Sequence, residues 1–206
     1  GVNNLVDAGP NLNPNPGYGT HITGTNIDND VKGFDVTSTG NASMYSWNVG
    51  AQSWDAIPNT NTKQLFVGEA YALMIRGDRS TTLDSNTAIG PATTLRFTGS
   101  GLQTGNFTAP NLTGTIGHFN LVANPYQAQV DIKALANPDG TINSDYVGIN
   151  RFFIYVYDPT IGERGGYATV DLSAGTAVGE DIVDATPSGT DANQYLQPNQ
   201  AFFVKT

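Results

Sequence analysis

Residues 117–131 read GHFNLVANPYQAQVD, and this stretch decides the fold class of the chain. From 119 to 123, the side chains alternate with the period of a β-strand that has one buried face. Pro125 ends that strand because proline lacks a backbone donor, and it biases Asn124 away from the helical region. A second extended piece follows over residues 128–132. The stretch therefore predicts two strands joined at a corner.

The polar residues of this corner are predicted to be structural. Backbone groups at a chain reversal need hydrogen-bond partners, and Asn and Asp side chains supply them readily. The predicted structural corner consists of Asn124, Pro125, Tyr126 and Asp131. We expect these residues to matter for the melting temperature and not for catalysis.

Composition narrows the class of protein further. Of the 206 residues, 13% are charged and none is cysteine, and the formal net charge is −9. Low charge with abundant Asn, Thr, Gly and Ser is typical of secreted β-proteins, and no window predicts an amphipathic helix longer than about two turns. The acidic balance argues against a nucleic-acid partner, because phosphate contacts need clustered Lys and Arg. No apolar run is long enough to predict insertion into a membrane.

Strand patterns continue along most of the chain, so we predict an all-β fold, an antiparallel β-sandwich. Residues 1–20 are expected to form an irregular N-terminal arm, because Asn, Gly and Pro occur there at the density of turns. Residues 21–206 form the sandwich module. The strands are expected at 21–27, 31–36, 44–49, 70–76, 93–98, 105–108, 151–157, 167–172 and 202–204.

The halves 21–108 and 117–206 are predicted to be related repeats. Each half has a hairpin with aromatic residues, a variable loop and then a further core strand. The correspondences are Tyr45–Asn48 with Tyr155–Asp158, and Tyr71 with Phe202. A single sandwich without an internal repeat stays open as the alternative.

The best candidate for a metal site is the acidic group Asp28, Asp30 and Asp35. Calcium takes oxygen ligands from carboxylates, amides and carbonyls, and this stretch supplies all of these. The spacing is not that of an EF-hand, so a solvated acidic turn is the alternative. Calcium is the one cofactor that the sequence suggests.

No catalytic constellation is evident, so we do not expect an enzyme. The chain has two histidines, His21 and His118, and it has no Gly-x-Ser-x-Gly elbow that either could serve. Two histidines without cysteine also make a zinc site a poor expectation. Both histidines are therefore predicted to be structural.

The tripeptide Arg76-Gly77-Asp78 matches the one found in integrin ligands. It directly follows a predicted core strand, whereas a ligand loop must present its side chains to a receptor. We therefore expect a structural turn, in which Asp78 caps the backbone and Arg76 or Arg79 pairs with it.

Aromatic residues on the predicted hairpins are a candidate glycan platform. These residues are Trp47, Trp54, Tyr155 and Tyr157, with Tyr167 on the partner strand. Flat rings stack on sugar faces, but aromatic residues on paired strands also serve as core or cross-strand partners. Two exposed and coplanar rings would favour the glycan platform.

Residues 120–131 carry a family resemblance. They read NLVANPYQAQVD, which resembles the signature NL-(I/V)-G-NPYPS-(P/A)-(I/V)-D in a β-rich module of large secreted proteins from Bacteroidetes, the cargo of the type IX secretion system. The departures include Ala123 in place of glycine, and Gln127-Ala128 in place of Pro-Ser. Further matching pieces follow the family's order at 19–24 (GTHITG), 44–47 (MYSW), 76–79 (RGDR), 94–96 (TLR) and 200–204 (QAFFV).

The resemblance implies a function class and a setting. It implies a non-catalytic structural or adhesive module of a large secreted, cell-surface protein, and we expect the chain to be a piece of such a protein. The implied partners are other domains or copies of that surface protein, the secretion machinery or a glycan. The alternative is a carbohydrate-binding module of a secreted enzyme or adhesin.

Overall fold

A computed structural model gives the fold. It describes residues 19–25, 35, 37, 39–60, 62–83, 90–95, 103–135, 149, 152–163, 165–172 and 190–206. Within these residues the chain is all-β, which confirms the predicted class: the strands form antiparallel sheets, and Ile132–Leu135 is a short 3₁₀ helix. Apart from residues 19 and 20, the predicted N-terminal arm lies outside the described part of the chain.

The described strands form three sheets with the orders β2-β1-β3, β4-β9-β6-β7 and β5-β8. Two differences from the predicted strands stand out. Residues 105–108 are not a strand, since Gly105 has a positive φ of 71°. Ile75 lies beyond the end of β3 and is 50% exposed, so it does not belong to a core face. The strands are β1 (Met44–Asn48), β2 (Ser53–Ala56), β3 (Tyr71–Leu73), β4 (Phe119–Ala123), β5 (Val130–Asp131), β6 (Phe153–Asp158), β7 (Gly166–Asp171), β8 (Tyr195–Leu196) and β9 (Ala201–Lys205).

The chain divides into two compact units. Unit 1 contains Gly1–Ser46, Trp54–Phe66 and Tyr71–Gly101. Unit 2 contains Trp47–Ser53, Val67–Ala70 and Leu102–Thr206. The halves predicted from the sequence divide the chain differently, because the turn after β1 is part of unit 2.

The core of unit 1 is small and lies beside β1 and β3. Its buried centre consists of Ile22, Met44 and Ile57. Tyr71 and Leu73 of β3 pack against this centre, as the alternation of that strand predicts. Leu65 and Leu95 complete the cluster.

The turn between β1 and β2 is built by Asn48. Its side-chain oxygen accepts hydrogen bonds from the backbone N–H groups of Gly50 (3.1 Å) and Ala51 (2.9 Å). Its backbone carbonyl accepts from the N–H of Gln52 at 2.8 Å. Gln52 itself has a φ of 55°, a left-handed conformation, and its side-chain Nε2 donates to the Val49 carbonyl at 2.6 Å.

The four-stranded sheet of unit 2 has one mainly aliphatic face and one aromatic face. The mainly aliphatic face is the core, and it includes Ile154 and Val156 of β6 together with Phe202 and Val204 of β9. Leu196 of β8 joins this core. The alternate residues of the same strands form the aromatic face, because successive side chains of a strand point to opposite sides.

Three strands of each of the two larger sheets are arranged in the same order and pair in the same register. In each sheet, the first strand of a hairpin also pairs with a strand much later in the chain, giving β2-β1-β3 and β7-β6-β9. Ser46 pairs with Tyr71, and Val156 pairs with Phe202, the positions aligned from the sequence. The repeat stays a prediction, and these registers are the geometry that it would require.

Candidate functional site

A buried ionic cluster in unit 1 joins Asp35, Arg79 and His21. The Arg79 guanidinium donates two hydrogen bonds to the Asp35 carboxylate, at 2.8 and 2.9 Å. His21 Nδ1 lies 3.0 Å from Asp35 Oδ1, and the Nε2 of the same ring donates to the Thr81 carbonyl at 2.9 Å. The Ile22 N–H adds a further bond to Asp35 at 3.0 Å. The side chain of Asp35 is 9% exposed, so this pairing is largely shielded from water.

The pKa of Asp35 reflects two opposing effects. Burial alone would raise the pKa of the carboxyl, since a low-dielectric environment disfavours the charged form. The contacts with His21 and Arg79 outweigh burial, and the pKa lies below its ordinary value. Asp35 is thus held as a carboxylate that joins the segments of His21 and Arg79.

This arrangement bears on the predicted calcium site. Both oxygens of Asp35 accept hydrogen bonds from protein donors, and the positive charge of the neighbouring Arg79 would repel a cation. Asp28 and Asp30 lie outside the described residues. Among the residues that are described, no three His, Asp or Glu side chains are grouped to hold a metal ion.

The Arg76-Gly77-Asp78 turn is buried at both charged ends. Arg76 is 8% and Asp78 is 2% exposed, so neither side chain is presented to a receptor. Asp78 Oδ1 accepts from the backbone N–H of Ser80 at 2.8 Å and from its hydroxyl at 2.5 Å, which is the cap expected of a structural turn. Gly77 is required by its φ of 109° and by a Cβ that would lie 2.6 Å from Gly90.

The strand corner in unit 2 is organised by the buried side chain of Asn124. Its amide nitrogen lies within hydrogen-bond distance of three carbonyls, those of Ala128 (2.9 Å), Gln197 (3.0 Å) and Leu196 (3.2 Å). Its side-chain oxygen accepts from the Tyr126 N–H at 3.0 Å. One side chain therefore satisfies backbone groups from two segments that are about 70 residues apart.

The other corner residues have smaller roles. The Tyr126 hydroxyl donates to the Gly105 carbonyl at 2.8 Å. Asp131 is exposed, and it accepts from the Lys133 N–H at 2.9 Å at the start of the 3₁₀ helix. Pro125 follows Asn124 at the end of β4, where the strand was expected to stop.

Asp158 is a second capping aspartate, which the sequence reasoning missed. Its Oδ1 accepts from the Thr160 hydroxyl (2.6 Å) and N–H (2.8 Å), and its Oδ2 accepts from the Thr190 hydroxyl (2.5 Å). The hydroxyls of Thr160 and Thr190 and the Thr160 N–H lower the pKa of Asp158 to about 2. The signal was present: Asp158-Pro-Thr repeats the Asp-x-Ser/Thr spacing of Asp78-Arg-Ser.

The aromatic face of the four-stranded sheet is a continuous cluster of rings packed edge to face. Phe119 of β4 contacts Tyr155 of β6 (5.3 Å between centroids, 77° between planes) and Phe203 of β9 (6.0 Å, 81°). Trp47 packs on Phe203 at 4.8 Å and 75°. The ammonium of Lys205 lies 5.6 Å from the Phe119 ring centroid. In this geometry the positive edge of one ring packs against the negative face of the next, which stabilises the cluster.

The exposed end of this face consists of Tyr157 and Tyr167. The rings are 5.5 Å apart at 69°, and the side chains are 47% and 43% exposed. Burial raises the pKa of the Tyr167 phenol, and Tyr157 adds to the shift. These rings are not coplanar, whereas a glycan platform was expected to show two coplanar rings. Trp54, the fourth predicted platform residue, is partly buried on β2.

The hairpin turn supplies polar contacts that the sequence did not predict. The side-chain amide of Gln52 forms the two hydrogen bonds that a neighbouring strand would form with Phe119. Its Oε1 accepts from the Phe119 N–H at 2.6 Å, and its Nε2 donates to the Phe119 carbonyl at 3.1 Å. Trp47 Nε1 donates to the same carbonyl at 3.0 Å. The outer backbone groups of Phe119 are thus paired, and this end of β4 is closed to another strand.

No protein-family model, curated protein or solved structure matches the chain. None of the helices in the described residues is long and apolar enough to cross a membrane.

Proposed function

We propose that this chain is a non-catalytic structural or adhesive module of a large secreted, cell-surface protein, part of the cargo of a type IX secretion system. The observation that carries the proposal is the exposed aromatic surface of Tyr157 and Tyr167 at one end of the four-stranded sheet. Exposed aromatic residues beside a packed core are typical of protein-interaction surfaces. The resemblance of residues 120–131 to the Bacteroidetes signature supports the setting.

The buried charged groups support a structural role over a catalytic one. General acids and bases work with a pKa near the operating pH. The Asp35 and Asp158 carboxyls have pKa values shifted in the opposite direction, to below their ordinary value, by donors that also close turns and join segments. Both groups are therefore carboxylates at neutral pH, where they stabilise the fold and are poorly suited to act as general acids or bases.

Localisation and assembly can be tested together on native material. An antibody raised against the chain should label the surface of the source cells and the secreted material by immunoelectron microscopy. Regularly spaced label on filaments or larger particles is expected of a structural unit. Label confined to the cell interior would contradict the proposal.

Carbohydrate binding is the second candidate, favoured by the exposure of Tyr157. A single exposed ring can stack on one sugar, although the 69° angle between Tyr157 and Tyr167 prevents both rings from lying under one flat chain. Isothermal titration against a panel of polysaccharides tests this function. Binding that is lost in Tyr157→Ala and kept in Trp54→Phe would favour it over adhesion through protein contacts.

A further inference from the structure

The aromatic face of the four-stranded sheet carries a cation at the end that contains Phe119. The Lys205 ammonium lies 5.6 Å from the centroid of the Phe119 ring. In unit 1, the Lys63 ammonium lies over the Tyr71 ring in the same way, 5.0 Å from its centroid. A cation at such a distance is attracted by the negative charge of a ring face. Aromatic rings in both units therefore hold a lysine of the chain.

At its other end, the same face leaves two rings partly exposed to solvent. Tyr157 and Tyr167 face each other directly in the β6–β7 ladder, and they are 47% and 43% exposed. Their rings are 5.5 Å apart with 69° between the planes, so their faces point in different directions. A flat sugar chain needs coplanar rings, whereas a compact cationic group needs one accessible ring face. This end therefore fits a cationic ligand better than an extended glycan.

The β6–β7 turn, which contacts Tyr157, carries an exposed carboxylate. Tyr157 lies against the turn, because a Cβ added at Gly165 would be 2.2 Å from the Tyr157 hydroxyl. Glu163 is two residues before Gly165, and its side chain is exposed. Arg164, between them, lies outside the described residues. The carboxylate of Glu163 adds a Coulombic attraction for a cation that approaches this turn.

The charge of the chain also favours a cationic partner. Among the described residues of unit 2, the basic side chains are two lysines, Lys133 on the 3₁₀ helix and Lys205 on β9. Lys205 is three residues beyond Phe202, the residue of β9 that pairs with Val156, so it lies about 10 Å along the strand from the tyrosine end. The whole chain has a formal charge of −9, which attracts positively charged partners over a long range. A cation from a partner therefore complements both the rings and the charge.

We propose that the tyrosine end of this face, defined as Tyr157, Tyr167 and Glu163, binds arginine side chains of a basic peptide segment in a partner protein. The inference rests on the proposed function, and it names the chemistry of the partner for the surface described there. The planar guanidinium stacks on a tyrosine ring, and the Glu163 carboxylate pairs with its charge. One exposed contact of this kind is weak, so the ligand is a segment with several arginines.

Nuclear magnetic resonance titration of the whole chain, with ¹³C-labelled tyrosine rings, tests the proposal. The probe is a synthetic peptide of arginine residues separated by glycine, and the control peptide has neutral citrulline in place of each arginine. At low salt, the arginine peptide should shift the Tyr157 and Tyr167 ring resonances in a saturable way, and the citrulline peptide should not. The Kd should rise as salt is added, because salt screens the charges.

Substitutions separate the contribution of the ring from that of the charge. Tyr167→Leu removes the π face and keeps an apolar side chain, so the Kd should rise about two- to fivefold, whereas Tyr167→Phe should keep the wild-type value. Glu163→Gln should raise the Kd by a similar factor. Tyr195→Leu removes a tyrosine of β8 that is 42% exposed, and this control should keep the wild-type Kd.

Far-ultraviolet circular dichroism and urea unfolding establish that each variant is folded; if Tyr167→Leu is not, Tyr157→Leu takes its place. A lack of arginine-induced shifts at low salt would overturn the proposal, as would equal binding of the citrulline peptide or an unchanged Kd in Tyr167→Leu. A polysaccharide that shifts these resonances when the arginine peptide does not would overturn it in favour of the glycan alternative. None of these outcomes changes where the chain is located, so immunoelectron microscopy tests the proposed function separately.

Discussion

Gln52 and Phe119 are joined by a pair of hydrogen bonds in which a side-chain amide takes the place of a strand. The Phe119 N–H donates to Gln52 Oε1 at 2.6 Å, and Gln52 Nε2 donates to the Phe119 carbonyl at 3.1 Å. The residues are 67 positions apart in the sequence. The relationship occupies the outward backbone groups at the start of β4 and attaches the β1–β2 turn to this strand.

Gln52→Ala should lower the free energy of unfolding by about 1–2 kcal/mol, because the Phe119 N–H loses its partner in a partly buried site. Equilibrium urea unfolding measures the change. The control is Gln103→Ala, whose exposed side-chain amide donates to the neighbouring Thr104 carbonyl at 2.9 Å. Equal effects of the two substitutions would show that the amide pair with Phe119 contributes nothing.

Asn124→Ala should lower the free energy of unfolding by about 3 kcal/mol, because the carbonyls at the corner lose the two N–H donors of a buried amide, and the Tyr126 N–H loses its acceptor. Asp131→Ala should have a smaller effect, about 1 kcal/mol, since its one cap lies at the surface. Thermal unfolding of both variants checks the order. An unchanged melting temperature in Asn124→Ala would mean that the corner is not structural.

Arg79→Met should destabilise the chain by about 3 kcal/mol, because Asp35 would be left as a buried carboxylate without its bidentate partner. Arg79→Lys should fall between wild type and Arg79→Met, since it keeps the charge and loses the fork geometry. Lys63→Met is a control that removes a cation near the Tyr71 ring, with an effect within about 1 kcal/mol. Chemical unfolding of the set distinguishes a specific buried pair from a general effect of charge.

The stabilisation by Asp158 should vanish in acid. Its folded pKa of about 2 lies below the ordinary value of 3.8, so the stabilisation is fully present above about pH 4 and is lost as the pH falls through 2. Asp158→Asn should therefore be less stable than wild type at neutral pH, and the difference should shrink toward pH 2. Urea unfolding at several pH values measures it. A difference that is independent of pH would contradict the role of the carboxylate charge.

Gly165→Ala should destabilise more than Gly162→Ala, although both residues have a positive φ, of 74° and 62°. The backbone strain is shared, at about 1–2 kcal/mol. A Cβ at 165 would also lie 2.2 Å from the Tyr157 hydroxyl, whereas nothing lies within 4 Å of one at 162. The extra loss should be about 1 kcal/mol and should shrink in a Tyr157→Ala background, where only the 3.0 Å contact with the Asp158 carbonyl is left. Persistence of the difference there would assign it to a neighbour other than Tyr157.

The sequence predicted most of the strands and missed β8. The strands β6 and β9 were evident because each coincides with a continuous run of apolar residues, and β6 also has a clear turn after it. β8 has two residues, too few to show a period. The strand expected at 105–108 fails because Gly105 takes a left-handed conformation that a pleated strand does not accept.

The site was less predictable than the fold because its contacts are distant in sequence. Asn124 was recognised from the proline that follows it, which is a local signal. Asp35 meets Arg79 across 44 residues, and no local pattern indicates that pairing. Asp35 was instead grouped with Asp28 and Asp30, its neighbours in sequence, when its described partners are a guanidinium and an imidazole.

The position of β9 has a consequence for how unit 2 folds during synthesis. β9 is the last described strand along the chain, yet it lies between β4 and β6 in the sheet. A ribosome adds about 5–20 residues per second, so β4 waits several seconds for the neighbour it needs. Until residues 201–205 emerge, β4 has no neighbour in this sheet and the aliphatic core lacks Phe202 and Val204. Unit 2 therefore completes its sheet only after residues 201–205 have been synthesised, and until then its core stays incomplete.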